Sequence, residues 1–238
     1  MSVLVQNQGK PYGFSNGEKI VSIHQPNFLP WGGYFDKIAN SDIHIIMDDV
    51  QFSKGGYTNR AKFFQGINGK EPFVQTVPVK QEMGQLIKDV RLHNFDHFRA
   101  KFIRTMKMHY PNAYEVIKDV VDRDYWYLYD FNVCITETIL DALGCKTEII
   151  RGTTLQAQGN KSEKVLNLVK KVGGTVYVTG TGGKKYLDID SFEREGIKVE
   201  FVRYQDKWAD VSFVDFMERY YDAHIKGFKD TRISTSHR

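Results

Sequence analysis

Apolar positions along this chain fall into runs of two kinds. Lys19-Ile-Val-Ser-Ile-His24 and Ile43 to Met47 are nearly continuous, without the alternation of a half-exposed strand, and predict strands covered on both faces of a parallel sheet. Between them Phe35 and Ile38 repeat at helical spacing within 33–39, so residues 19–47 read as a βαβ unit. Thr147 to Ile150, Thr175 to Val178 and Lys198 to Val202 repeat the strand pattern later, and Asn160 stands where it would cap a helix running to Lys171. From Gln51 to Lys80 the runs shorten around the glycine turns 55–56 and 66–69, which predicts antiparallel pairing. Beyond Gln81, Phe95, Phe98, Phe102, Met106 and Tyr110 support one helix, and Tyr125 to Leu143 a longer one that stops at Gly144. The expectation is an α/β fold, a mostly parallel sheet core with flanking helices and an inserted or appended helical lobe at about 81–143. Residues 1–19 read as a loosely ordered leader, 20–203 as the core with its lobe, and 204–238 as a C-terminal helix and polar tail.

Composition narrows the partners. The 33 Lys and Arg against 29 Asp and Glu leave a net charge of only +4, too small to imply nucleic acid, whereas a local basic cleft for a small anion is compatible with it. The two cysteines, Cys134 and Cys145, lack metal-ligand spacing and fit a reducing compartment without a disulfide framework. No run approaches the ~20 apolar residues of a membrane span, and the start of the chain lacks the apolar core of a signal peptide, so the expected location is cytoplasmic.

Chemistry concentrates at the strand ends. The first strand breaks into His24-Gln25-Pro26-Asn27-Phe28-Leu29-Pro30-Trp31-Gly32-Gly33-Tyr34, more polar and aromatic variety than a packing turn needs. His24 reads as a general base, as a donor to phosphate, or as a histidine satisfied in the core. Gln25 and Asn27 offer amides to orient a ligand, Gly33 opens a helix N-terminus to an anion, and Trp31 and Tyr34 flank it. Asp48 and Asp49 end the second strand; strand alternation lets one of them face a cleft, as a Mg²⁺ ligand or a base, and either could instead cap a turn. Asn59 and Arg60 follow, Arg60 being the better fork for phosphate or carboxylate. Gly180-Thr-Gly182-Gly183-Lys184 could nest a phosphate, although it fits neither standard nucleotide fingerprint. His93 and His97 have i, i+4 spacing but no third ligand in view, so no metal site is assigned. The run Tyr125-Trp-Tyr-Leu-Tyr129 reads as a core stripe or as a sugar-stacking wall.

At His24-Gln-Pro-Asn-Phe-Leu-Pro-Trp31 and Asp48-Asp-Val-Gln-Phe-Ser-Lys54 the chain resembles the WbqC-like protein family, found in bacterial O-antigen and other surface-polysaccharide gene clusters. The resemblance continues through Asn59-Arg60, Val77-Pro78-Val79, Asn160 to Glu163 and Tyr177 to Leu187, and loosens at Tyr204 to Val211. It implies a transferase that places an aminoacyl group, glycyl among the candidates, or another acyl group on a nucleotide-linked amino sugar. The partners would be that sugar and a small activated acyl donor, with no cofactor identified and with ATP and Mg²⁺ or CoA as candidate sources of activation. Two alternatives stand beside it: an ATP-dependent, acid-activating amide ligase of nucleotidyltransferase-like layout, and a non-catalytic nucleotide-sugar binding or scaffold protein.

Overall fold

The computed structural model describes residues 17–64, 71–202 and 212–220. Most of the expected leader, the glycine turn at 66–69, and the divergent and terminal stretches 203–211 and 221–238 lie outside the described residues. The chain divides into two compact units, the first comprising described residues 17–25, 36–49 and 146–202, the second 26–35, 50–64, 71–145 and 212–220.

The first unit is built on a five-stranded parallel sheet. Its strands are β1 (Ile20–His24), β2 (Ile43–Ile46), β7 (Glu148–Arg151), β8 (Val176–Gly180) and β9 (Lys198–Val202), paired in the order β7-β2-β1-β8-β9. In the sequence order of these five strands this is 3-2-1-4-5, a doubly wound sheet whose direction of growth reverses between β1 and β8. The expected α/β class with a parallel core is therefore present, and β2 is buried along its whole length. On one face Val21, Ile23, Ile43, Ile45 and Tyr177 pack with Val165, Leu168 and Val169 of α5 (Lys161–Lys171) and with Phe192 of α6 (Ile189–Arg194). The packing at Gly174 is close enough to demand glycine: a Cβ there would come within 2.5 Å of a Val21 methyl and 2.8 Å of one on Val169.

The second unit holds the remaining elements. Strands β3 (Arg60–Phe64) and β4 (Pro72–Thr76) pair antiparallel as expected, with Phe63 opposite Phe73, and β5 (Val79–Lys80) pairs with β6 (Arg91–Leu92). Residues 81–94 are not the start of a helical lobe, since they carry the short β6 and a 3₁₀ turn at Ile87–Asp89. The lobe has three helices where the sequence reading saw two: α2 (Phe95–His109), α3 (Pro111–Val121) and α4 (Leu128–Ala142). Pro111 starts α3, because proline is suited to the first helical turn and cannot continue α2. Helix α4 starts three residues later than expected, and Trp126 is 79% exposed, so 125–129 is not a continuous core stripe. The core here is aromatic, with Phe28 in ring contact with Phe98, Phe102 and Phe131, and Phe98 stacked on Phe102.

The last described helix, α7 (Phe213–Tyr220), is docked by two carboxylates. Glu218 accepts the free N–H groups of Asn112 and Ala113 at the start of α3, where helix termini leave donors unmet. Asp215 accepts from the Phe64 N–H at 3.2 Å and the Tyr110 hydroxyl at 3.3 Å. Burial pushes the Asp215 carboxyl up to about 7, above its ordinary 3.8, so the proton is held more tightly in the folded state. Stability from this group is therefore full below pH ~4 and is lost as pH rises through 7. Asp215→Asn, which keeps the accepting oxygen, is expected to leave stability at pH 4 unchanged and to raise it by about 1–2 kcal/mol at pH 8. Urea unfolding at the two pH values measures this.

Candidate functional site

Open parallel sheets bind ligands beyond the carboxyl ends of their strands, at the point where strand order reverses. Here that point is flanked by the ends of β1 and β8. The register pairs Ile20 with Val176 and Ser22 with Val178; carried two residues on, it sets His24 against Gly180. His24 and the start of the glycine loop therefore stand at the ends of neighbouring strands of the first unit. After Gly180 the loop forms a 3₁₀ turn, Thr181–Lys185, with Gly180 and Gly182 exposed and Gly183 packed against Leu187 and Thr179. The Lys184 amine sits 5.1 Å above the centre of the Phe201 ring.

Strand alternation places Ser22 and His24 on the sheet face opposite Val21 and Ile23. That face carries a polar inset among apolar neighbours: Ser22 Oγ lies 2.8 Å from His44 Nδ1 across paired positions, both residues fully buried. Lys37 of α1 (Gly32–Ala39) is also buried, and its Nζ donates to the Ile23 carbonyl at 3.1 Å. Burial pushes the Lys37 amine down from 10.5 to about 7. Burial first, and the nearby Lys37 second, push half-buried His24 down to about 3, while its Nδ1 lies 3.0 Å from the Gln25 carbonyl; His44 is held well below the usual range for the same two reasons, with His24 adding to them. At neutral pH both imidazoles are therefore uncharged, and the group that titrates near 7 is the amine. A base works best with a pKa near the operating pH, which favours Lys37 over His24.

The acidic pair has other duties. Asp48, with no exposed surface, accepts from Arg151 Nε at 2.5 Å, Thr153 N at 2.8 Å and Thr153 Oγ1 at 2.6 Å. These bonds join the ends of β2 and β7 through Asp48. Asp49 Oδ2 accepts from Lys164 Nζ at 2.7 Å, an amine that also donates to the Ala157 carbonyl at 3.1 Å. The Asp49 contact ties the end of β2 to α5. Among the described residues, no cluster of three or more His, Cys, Asp or Glu is arranged to hold a metal ion. His93 precedes α2 and donates its N–H to the Pro78 carbonyl, so His93 and His97 do not share a helix face.

Of the remaining candidates, half-buried Gln25 belongs to the first unit and the others to the second. Asn27 is buried, as is Asn59, whose Nδ2 donates to the Val77 carbonyl at 2.9 Å. Gly33 lies in the first turn of α1, and Tyr34 is buried with its phenol pushed up by that burial and by Tyr129. Arg60 is exposed at the start of β3. Sequence reasoning passed over Lys37, Tyr57 and Asn132. Lys37 and Asn132 left no clear signal, since a helix sequence shows a lysine or an asparagine without showing which way it faces.

A family model described as the WbqC-like protein family matches residues 25–218. The chain belongs to that family. Membership assigns it, in general terms, to surface-polysaccharide biosynthesis. The matched span takes in residues of both units, from Gln25 to Glu218 in α7. The WbqC-like chain is also similar to the "Uncharacterized protein Rv1507c" of Mycobacterium tuberculosis, 28% identical over 192 residues, which cover 78% of this chain and 83% of the relative. No solved structure matches it. Among the described residues, no helix is long and apolar enough to cross a membrane.

The buried amine has a thermodynamic signature. Because the folded state lowers the Lys37 pKa, its unfavourable linkage to stability is absent above pH ~10.5, grows as pH falls from there towards 7, and is full below 7. Lys37→Met, which keeps the stem and removes the amine, is expected to raise stability by about 1–3 kcal/mol at pH 7 and by less at pH 10. Denaturant melts at both pH values check it, and a loss of stability at pH 7 would show that the amine is held for packing.

Proposed function

We propose that this WbqC-like protein is a transferase of surface-polysaccharide biosynthesis that places an aminoacyl group, glycyl among the candidates, or another acyl group on a nucleotide-linked amino sugar. The observation that carries the reading is the Lys37 amine, buried beside the carboxyl end of β1 and poised near neutrality. Amide formation needs a proton acceptor of that kind. The sugar's amino nitrogen bonds to the acyl carbonyl carbon, its proton passes to Lys37, and the bond from that carbon to the activating group breaks, the group leaving with its electron pair. Neutral His24 can donate or accept a hydrogen bond at the same strand end, and the exposed backbone of the Gly180 turn is suited to phosphate. The acyl donor is a thioester or an acyl phosphate, classes reached from CoA or from ATP, and it releases a thiolate or a phosphate.

Purified protein incubated with nucleotide-linked amino sugars, and with either acyl-CoA or an amino acid plus ATP, is expected to yield a product heavier by one acyl group in mass spectrometry. Lys37→Met should lower the rate by ~10²–10⁴-fold, and the wild-type rate should rise with pH through about 7 as the amine loses its proton. His24→Asn should cost less than Lys37→Met. A protein that binds the sugar nucleotide but acylates it from neither donor would sink the transferase reading, and the site would then be one of recognition.

A further inference from the structure

Two loops of the second unit are fastened together from beneath. Asn132 of α4, fully buried, donates from Nδ2 to the Pro26 carbonyl at 2.9 Å and to the Thr58 carbonyl at 2.7 Å. The Phe28 N–H donates to the Tyr57 carbonyl at 3.1 Å. Three hydrogen bonds therefore hold the 26–31 loop against the 53–60 loop. Supporting bonds of this kind fix a surface in one geometry before any ligand arrives.

What the two loops carry on their outer side explains the bracing. Tyr57 is 58% exposed, and its ring centre lies 6.4 Å from that of half-buried Trp31, at an interplanar angle of 53°. Trp31 in turn meets Tyr34 at 5.9 Å, edge to face. A tyrosine so exposed adds little to the core. Lys54 and Arg60 of the same loop are exposed and have no ion-pair partner among the described residues. Arg60 folds back over the turn, its Nη1 lying 3.7 Å from where a Cβ would stand at Gly55, whose φ of +83° suits glycine. Neither 26–35 nor 50–64 contains an acidic residue, so nothing in these segments neutralises the two cations.

We propose that Trp31, Tyr57 and Arg60 form a binding face for a flat-faced ring carried on a phosphate, the ring against the aromatic pair and the phosphate on the guanidinium. Indole and phenol faces attract sugar and base rings alike, and a guanidinium matches phosphate oxygens two at a time. Lys54 adds charge without geometry. The ring and the phosphate together are what a nucleotide-linked sugar presents twice, once at its base and once at its sugar. The inference rests on the transferase reading only for the choice of probes, because binding is measured here without turnover.

Tryptophan emission, with isothermal calorimetry as a second readout, is followed on adding UDP, N-acetylglucosamine 1-phosphate, UDP-N-acetylglucosamine or inorganic phosphate. Saturable binding of UDP would assign the base as the stacked ring, and saturable binding of the sugar phosphate would assign the sugar; either supports the proposal. Tyr57→Ala and Arg60→Ala should each weaken that binding roughly tenfold or more, with melting temperatures unchanged because both side chains are exposed, while Tyr57→Phe should retain it. Trp31→Phe should remove the fluorescence change and weaken calorimetric binding, because a smaller ring replaces the indole. The proposal is overturned if neither ring phosphate binds, if inorganic phosphate binds as well as both, or if Tyr57→Ala and Arg60→Ala bind like wild type. None of these results depends on whether an acyl group is transferred.

Discussion

A parallel sheet buried on both faces tolerates polar side chains poorly, and that constraint organises the first unit. The ladders satisfy every backbone group they can reach, so each remaining polar atom in the strands needs a partner of its own or costs roughly 1–3 kcal/mol. Ser22 and His44 answer that requirement as a pair at registered positions of β1 and β2. Lys37 reaches its partner by a route that touches the backbone of β1, donating to the Ile23 carbonyl. Only the ends of the strands escape the constraint, and it is there that Asp48, Asp49 and His24 appear.

The same constraint distinguishes anchors from chemistry. Asp48 and Asp49 look alike in the sequence, yet the first receives three donors and joins β2 to β7, while the second pairs with Lys164 and ties the strand to α5. Asp48 has both of its oxygens bonded from the chain, whereas Asp49 is bonded through one. Lys37 differs because its environment lowers the charge that would otherwise hold it, leaving an amine close to its titration point.

Much of the architecture was legible because periodicity reports burial. The strand limits of β9 match the expectation, and those of β1, β2, β7 and β8 differ from it by one or two residues; the helix at 32–39 and the one ending at Lys171 also fall where spacing put them. The lobe was less legible. Its helix α3, at Pro111–Val121, was not read at all, because the first helical pattern was followed only to Tyr110 and the next was taken up at Tyr125. The aromatic run at 125–129 misled for a different reason: composition alone does not separate Leu128 and Tyr129, which are buried, from Trp126, which is exposed.

Legibility of the candidate site followed the same physics. His24 and the Gly180 loop were visible because strand-ending turns with unusual residues are rare, and the sheet order brings those two turns to adjacent strand ends. Lys37 and Asn132 were not visible, because their importance lies in being buried, and a helix sequence shows a lysine or an asparagine without showing which way it faces. Once burial is known the roles separate on physical grounds. An amide such as Asn132 can be buried at little cost if its hydrogens are taken up, as both are by the carbonyls of Pro26 and Thr58, so it serves to hold loops. Burial disfavours the charged form of an amine, and it pushes that of Lys37 down to about 7, so near that pH a share of it is uncharged and able to accept a proton from a reacting nitrogen.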